Sequence, residues 1–382
     1  MSAPVEDARA EAVIDLDRLS ANLASLRTGI PGVAHMVVVK ADAYGHGAVA
    51  ASRTARAAGA EWLGVALPTE ALRLRAAGDE GPILAWLCVP GDPALEECVA
   101  AGVDLGVGSR AGLDAVAAMA SRAGLPARVH LKVDSGLGRG GCTPAEWAGL
   151  VSASLAARNA VRVDAIWSHL ACGDEPAHPS IDEQLGVFTD AIEEARALGL
   201  EAPFHHLAAS GAALSRPDTR FDMVRLGIAA YGLSPGPQIA PPWPKGLDIG
   251  PVMTLRARVA AVKRVPQGHG VSYGLTWRAP RETSLALVPL GYADGIPRGA
   301  HGASVLIGAA RYPVVGRVAM DQFVVDVGDD DVAPGDDVVV FDAGVEHAPT
   351  ADEWAGWCDT IGYEIVTRIG PRVPRRYVGG PS

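Results

Sequence analysis

Apolar and polar positions divide the chain into two regions of different rhythm. From Val13 to about Ile228, short apolar, β-rich runs alternate with alanine-rich stretches patterned as helices. The runs predict strands at 12–14, 35–39, 62–65, 83–87, 104–107, 127–133, 161–168, 203–207 and 223–226. Helix starts fall between them. Thr143-Pro144-Ala145-Glu146 reads as a capping box with proline at the first helical position, and Asp92-Pro93 opens another helix the same way. Such alternation predicts parallel strands joined by right-handed crossovers, an α/β fold. Nine candidates for an eight-stranded barrel leave one spare, and the first, 12–14, is assigned to the second region.

The rhythm changes after the Pro/Gly-rich stretch 234–251. Strands dominate from there, at 254–265, 284–290, 304–307, 312–318, 323–327 and 338–341, punctuated closely by proline and glycine. One helix interrupts them, started by the capping box Thr350-Ala351-Asp352-Glu353. The expected organisation is an eight-stranded (β/α)8 TIM-type barrel over 12–245 and a mostly antiparallel β-domain over 246–382, joined by residues 1–11.

Composition narrows the function classes. A chain of 382 residues exceeds one typical core, which fits two domains. With 49% hydrophobic residues and no apolar run long enough to span a bilayer, it is expected to be soluble. The acidic 1–11 segment lacks an apolar signal region, and five scattered cysteines suit reduced thiols, so a cytoplasmic protein is expected. The net charge of −11, with no basic run, argues against a nucleic-acid partner.

Unusual polar residues fall at the carboxyl ends of the predicted strands: Lys40, Lys132, His169, Ser210 just beyond His206, and Arg225. In a barrel these ends converge on the face where active sites are built. Lys40 ends an apolar run and enters the glycine-flanked turn Lys40-Ala41-Asp42-Ala43-Tyr44-Gly45-His46-Gly47, before a helix expected near Gly47. An amine there can form an imine with a carbonyl cofactor, although a lone lysine in that place more often extends into water. Lys132, in His130-Leu131-Lys132-Val133-Asp134, either faces the barrel interior or pairs with Asp134. The stretch Gly136-Leu137-Gly138-Arg139-Gly140-Gly141 also fits G-x-G-x-x-G, a dinucleotide signature, but it lies in the sixth strand unit with an arginine in its tight turn. His169, Cys172, Asp174 and His178 match no standard zinc spacing, and no metal is expected.

These segments together resemble the barrel-type, pyridoxal-phosphate-dependent alanine racemases, and the resemblance runs through the whole chain. It implies that Lys40 holds pyridoxal 5'-phosphate as an imine, and that His169 packs on the cofactor ring. Ser210, Gly227, Ile228, Tyr44 and Tyr363 would hold the phosphate. It implies that Lys132 is carbamylated and orients Arg139, which binds the substrate carboxylate through its planar fork. Arg225 would hydrogen-bond the ring nitrogen without protonating it, leaving the carbanion less stabilised. That choice favours proton return over transamination, and opposes the decarboxylase alternative, whose barrel relatives use an acid there.

Val271-Ser272-Tyr273-Gly274 and Gly316-Arg317-Val318-Ala319-Met320-Asp321-Gln322 match two further motifs of that family. They imply Tyr273 as a second base opposite Lys40 and a Met320 backbone N–H on the substrate carboxylate, with Asp321 in support. Tyr292, in Gly291-Tyr292-Ala293-Asp294-Gly295, would narrow the entrance. A phenol titrates near ~10 in water, so a neighbour such as His169 would have to share its proton. Four positions depart from the family pattern: Ser135 and Leu137, in Ser135-Gly136-Leu137 for Thr-Gly-Met, Ala319 for a commoner cysteine, and Ala209 for asparagine, which removes an amide beside the phosphate segment. The implied activity is interconversion of L- and D-alanine for cell-wall peptidoglycan. The implied assembly is a head-to-tail homodimer in which Tyr273 and Met320 reach the partner's site. A broader amino-acid racemase and a non-catalytic cofactor carrier are the other readings.

Overall fold

The computed structural model describes residues 9–244, 246–342 and 344–381. The expected domain boundary at residue 245 and the segment 1–8 lie outside the described residues. Eight parallel strands form the barrel: Ala34–Val38, Trp62–Val65, Ile83–Ala85, Asp104–Val107, Ala127–Lys132, Val161–Trp167, Phe204–His206 and Met223–Leu226. Each pairs with its sequence neighbour up to Phe204–His206, and Met223–Leu226 returns to pair with Ala34–Val38. The closing seam is short. It consists of an Ala209–Arg225 bridge, with Arg225 N–H donating to the Ala208 carbonyl (3.0 Å) and Asp222 N–H to the His205 carbonyl (3.1 Å).

The helices form because local signals and the buried face agree. In Arg110–Ala123 the Ser109 hydroxyl accepts the Gly112 N–H, and Gly124 stops the helix at φ 69°. Leu113, Val116 and Ala120 then fall on one face against the core. A cap of that kind contributes about 1 kcal/mol. At Thr143 the expected box does not form. Its hydroxyl bonds the Glu146 carboxylate (2.7 Å) and caps no backbone N–H of Pro144–Ala156.

The second unit is a nine-stranded sheet in the order Ala261–Val265, Thr283–Val288, Phe323–Gly328, Ala310–Val315, Ser304–Ile307, Asp337–Phe341, Met253–Arg258, Ala10–Asp15, Arg375–Val378. All its pairings are antiparallel except the one between Ala10–Asp15 and Arg375–Val378. Residues 12–15 thus hydrogen-bond in this sheet and not in the barrel. The single strand expected at 254–265 is two, because Val259 and Ala260 carry the chain from one set of partners to another: Val259 N–H donates to Asp336 and Ala260 N–H to Leu287. A second helix, Gly362–Thr367, follows Ala351–Trp357 where only one was expected. The Thr350–Glu353 capping box is present, with both reciprocal bonds formed. The apolar core is continuous between the two units. All five cysteines are free, and no described helix is long and apolar enough to cross a membrane.

Candidate active site

At the carboxyl ends of the barrel strands lies a cavity of about 710 Å³. Lys40, Tyr44, Lys132, Arg139, His169, Ser210, Arg225, Gly227, Ile228 and Tyr363 all line it. Ten candidates scattered over more than 300 residues of chain thus share one space, as convergence of strand ends requires.

Lys40 follows the strand Ala34–Val38 and is succeeded by four residues in the left-handed region, Ala41, Asp42, Ala43 and Tyr44, at φ 52° to 56°. Each such non-glycine residue costs about 1–2 kcal/mol. Fixed partners hold the turn: Ala41 N–H donates to Glu70 Oε1 (2.6 Å), Ala48 N–H to Asp42 Oδ1 (2.9 Å), and Gly45 N–H to the Ala41 carbonyl (3.0 Å). Gly45, at φ 82°, packs so tightly on the Val366 carbonyl that a Cβ there would collide with it. The strained turn places the lysine and tyrosine in one cavity, strain held at a functional position by the surrounding structure. Burial, with Arg139 nearby, lowers the Lys40 amine from its ordinary value. A larger neutral fraction makes it a better nucleophile.

Arg225 is fully buried. Its Nη1 donates to His206 Nδ1 (3.0 Å) and the His206 carbonyl (3.2 Å). Its Nη2 is shared among the Ser168 and Leu207 carbonyls and His169 Nδ1, each at 2.9 Å. Nε has no acceptor among the described residues and is the donor left over. An arginine cannot accept, so His169 Nδ1 must, and the neutral ring carries its proton on Nε2. Burial and the Arg225 charge hold the His169 pKa well below that of a free imidazole. Burial also brings Arg225 down to about 9, still a cation at neutral pH. Lys132 lies over the Trp167 ring (4.8 Å to its centroid), lowered to about 8 by burial and by Arg225 and Arg139.

The cavity's other end suits an anion. The Ser210 hydroxyl accepts the Gly227 N–H (2.9 Å) and the Ala229 N–H (3.4 Å), which leaves its own O–H to donate. The Gly227 amide is therefore already satisfied by Ser210. A Cβ on Gly227 would run into the Tyr44 hydroxyl, so that close approach requires glycine. Tyr44 and Tyr363 stand with ring centroids 6.1 Å apart, their phenols held protonated by burial. Ala209 heads the six-residue helix Ser210–Ser215 with no side-chain cap, where asparagine would supply one.

Tyr273, Met320, Tyr292 and Asp321 are not in this chain's cavity. Tyr273 opens the turn between Gly270–Val271 and Trp277–Arg278, which pair in a two-residue ladder, and is 69% exposed. Met320 (52%) and Tyr292 (40%) form a second exposed pair, linked by Tyr292 N–H to the Ala319 carbonyl and Ala293 N–H to the Met320 carbonyl. Asp321 pairs with Arg372 (2.7 Å).

The dinucleotide pattern at 136–141, disfavoured by its position in the sequence, gains no support: the Gly136 and Gly138 amides donate to the Asp134 carboxylate (3.1 Å) and so are not free to cradle a pyrophosphate. Among the described residues no ion pair joins Lys132 to Asp134, although the Asp134 charge still acts on the amine. Sequence reasoning missed Trp86 and Trp167, which wall the cavity at the ends of their strands; Trp86 lies under Lys40 (5.8 Å). The rule that selected the polar strand ends would have found both, had it been extended to aromatics.

The chain matches two family descriptions, "Alanine racemase, N-terminal domain" over residues 14–235 and "Alanine racemase, C-terminal domain" over 252–377. It is 53% identical to the alanine racemase of Streptomyces coelicolor over 97% of this chain and 96% of that one. Among solved structures, the alanine racemase from D-cycloserine-producing Streptomyces lavendulae superposes with a TM-score of 0.96 at 50% identity, covering 100% of this chain and 99% of that one. The Bacillus anthracis enzyme with bound L-Ala-P gives 0.90 at 34% identity, covering 99% and 96%. With matching family models over both of its units and a fold that superposes on these relatives along nearly the whole chain, this protein belongs to the alanine racemase family and is an isomerase.

Proposed function

We propose that this chain interconverts L- and D-alanine with pyridoxal 5'-phosphate bound through Lys40. The observation that carries the reading is the span of the cavity, with a lowered amine, an unpartnered Arg225 Nε and a hydroxyl-lined anion cradle around one space. Those groups fit the cofactor's aldehyde, ring nitrogen and phosphate respectively. When bound, the cofactor supplies the carbonyl that captures the substrate amine and the ring that acidifies its Cα–H.

The remaining work belongs to the chain. Lys40 holds the cofactor, and once displaced it takes or returns the Cα proton on one face. Arg225 donates to the ring nitrogen and keeps it an acceptor. Ser210, Tyr44, Tyr363 and Ile228 hold the phosphate, and Gly227, whose amide Ser210 takes, leaves room for the Tyr44 hydroxyl beside it. His169 packs against the ring, and Arg139, on the cavity rim, takes the substrate carboxylate with the Met320 N–H. Tyr273 moves the proton on the opposite face, Tyr292 narrows the entrance, and Asp321 braces the Met320 loop through Arg372.

Tyr273, Met320 and Tyr292 are exposed and lie off the cavity, which supports a head-to-tail homodimer with composite sites. Cytoplasmic supply of D-alanine to peptidoglycan follows from the same reading. With cofactor added, L-alanine is expected to be turned over at least about tenfold faster than L-serine or L-lysine, because one added substituent shifts such a pocket's preference by ~1–3 kcal/mol. Coupled-enzyme assays of the three substrates, with and without cofactor, measure this. Comparable rates would replace it with the broader racemase.

Lys132 belongs to the same proposal as a carbamate that orients Arg139. The reaction needs the neutral amine, and with the amine lowered to about 8 that form grows as pH rises through 8. In ¹³C-bicarbonate, a carbamate resonance is expected that strengthens from pH 7 to 9 and is missing in Lys132→Ala. No resonance at pH 9 would refute it.

A further inference from the structure

Beneath the cavity, a line of hydrogen bonds crosses the barrel interior from the open end toward the opposite side. Arg225 donates to His206 Nδ1 (3.0 Å), His206 Nε2 meets His130 Nδ1 (3.0 Å), His130 Nε2 meets Asp104 Oδ2 (3.2 Å), and Asp104 Oδ1 accepts from Arg128 Nε (2.5 Å). His206, His130 and the Asp104 side chain are fully buried, whereas Arg128 reaches the surface with 31% of its side chain exposed. Barrel interiors are ordinarily filled by layers of branched apolar side chains. The neighbours here are apolar but mostly unbranched, with Met36, Trp62, Leu84 and Met223 packed together. Burying this many polar groups is favourable only when every one is satisfied.

The chemistry of the ends fixes the direction of every bond. Arg225 can only donate, so His206 Nδ1 accepts and its proton lies on Nε2. His206 must then donate to His130 Nδ1, which puts the His130 proton on Nε2, toward the Asp104 carboxylate. No other neutral assignment satisfies both ends. The rings are also held by packing: Trp167 stacks on His206 (5.5 Å, 9°), and the Trp62 ring stands edge-on to His130 (5.2 Å, 65°). Burial and the Arg225 charge favour a neutral His206. Among the described residues no carboxylate pairs directly with Arg225, so the nearest negative charge on its line is Asp104, two imidazoles away.

We propose that Asp104, His130 and His206 are positioning residues for Arg225: the buried carboxylate polarises two neutral imidazoles in series and so locks the guanidinium with its Nε free toward the cavity. This deepens the reading in which Arg225 faces the cofactor ring nitrogen. It assigns no proton transfer to the line, because a guanidinium does not give up its proton at working pH.

Two measurements test it. In selectively ¹⁵N-histidine-labelled protein at neutral pH, His206 and His130 are both expected as Nε2–H tautomers; a proton on Nδ1 of either ring overturns the proposal. In Asp104→Asn, kcat per bound cofactor is expected to fall by about 10- to 100-fold, the range for loss of an outer orienting partner, with KM for alanine near wild type. The absorbance of the bound cofactor is expected to change with it. Asp79→Asn is the control, since Asp79 is a largely buried carboxylate paired with Arg56 and Arg75 away from this line. Normalising to bound cofactor removes misfolded protein from the comparison. Wild-type kcat and absorbance in Asp104→Asn, or equal losses in both variants, would overturn the role of Asp104. If wild-type protein fails to exchange alanine enantiomers, the reading of the site fails instead, and the tautomer measurement still decides the hydrogen-bond line.

Discussion

Lys40→Ala is expected to slow the interconversion of L- and D-alanine by at least about 10³-fold and to abolish the visible absorbance of the bound cofactor. The size follows from the two duties placed on one amine: holding the cofactor covalently, and moving the proton on one face, a role itself worth ~10²–10⁴. The same substitution carries an unusual expectation for stability. Burial disfavours the Lys40 ammonium, which is why its pKa is lowered, so the folded chain bears a cost that alanine would remove. The left-handed turn after it is held by Glu70, Asp42 and the Val366 contact, none of which needs the lysine side chain. Cofactor-free Lys40→Ala is therefore expected to melt at or above the wild-type temperature. Full residual activity would overturn the assignment; lost activity with a markedly lower melting temperature would mean that the lysine is chiefly structural.

The barrel was legible because its signals are local and repeated. Most strands are short apolar runs, several helices carry a recognisable start signal, and polar residues at strand ends mark the open face without any need for contact information. What could not be read depends on pairing. The strand Arg375–Val378 is rich in arginine and looks like a polar tail, yet it pairs beside Ala10–Asp15, and Arg375 donates to the Gly45 carbonyl (3.0 Å) next to the lysine turn. The left-handed run from Ala41 to Tyr44 contains no glycine, so nothing local announces it; partners from Glu70 and Val366 impose it. The line from Arg225 to Asp104 escaped for the same reason. His130 and His206 sit in strands whose neighbours suggest ordinary core positions, and only the barrel's closure sets one ring against the other. Tyr273 lies in the turn between two strands of two residues each, too short to leave a strand pattern, and its motif resemblance carried the assignment.

The proposed composite site carries an expectation that no single-chain site shares. Tyr273→Phe removes the proposed base on the second face and is expected to cost ~10²–10⁴ in rate, so it and Lys40→Ala are each nearly inactive alone. Dissociated, mixed in equal amounts and re-associated at random, half of the dimers carry one chain of each kind. In such a dimer one cavity lacks both groups. The other joins the intact Lys40 of the Tyr273→Phe chain to the intact Tyr273 of the Lys40→Ala chain. About a quarter of all sites would then be whole, and activity is expected to rise from near zero to about a quarter of the wild-type value. If lysine and tyrosine served the same chain's site, no mixing could restore either. The exposed Tyr273, Met320 and Tyr292 surface gives the physical reason to expect recovery: side chains left in water by their own subunit reach a cavity only when another subunit brings one to them.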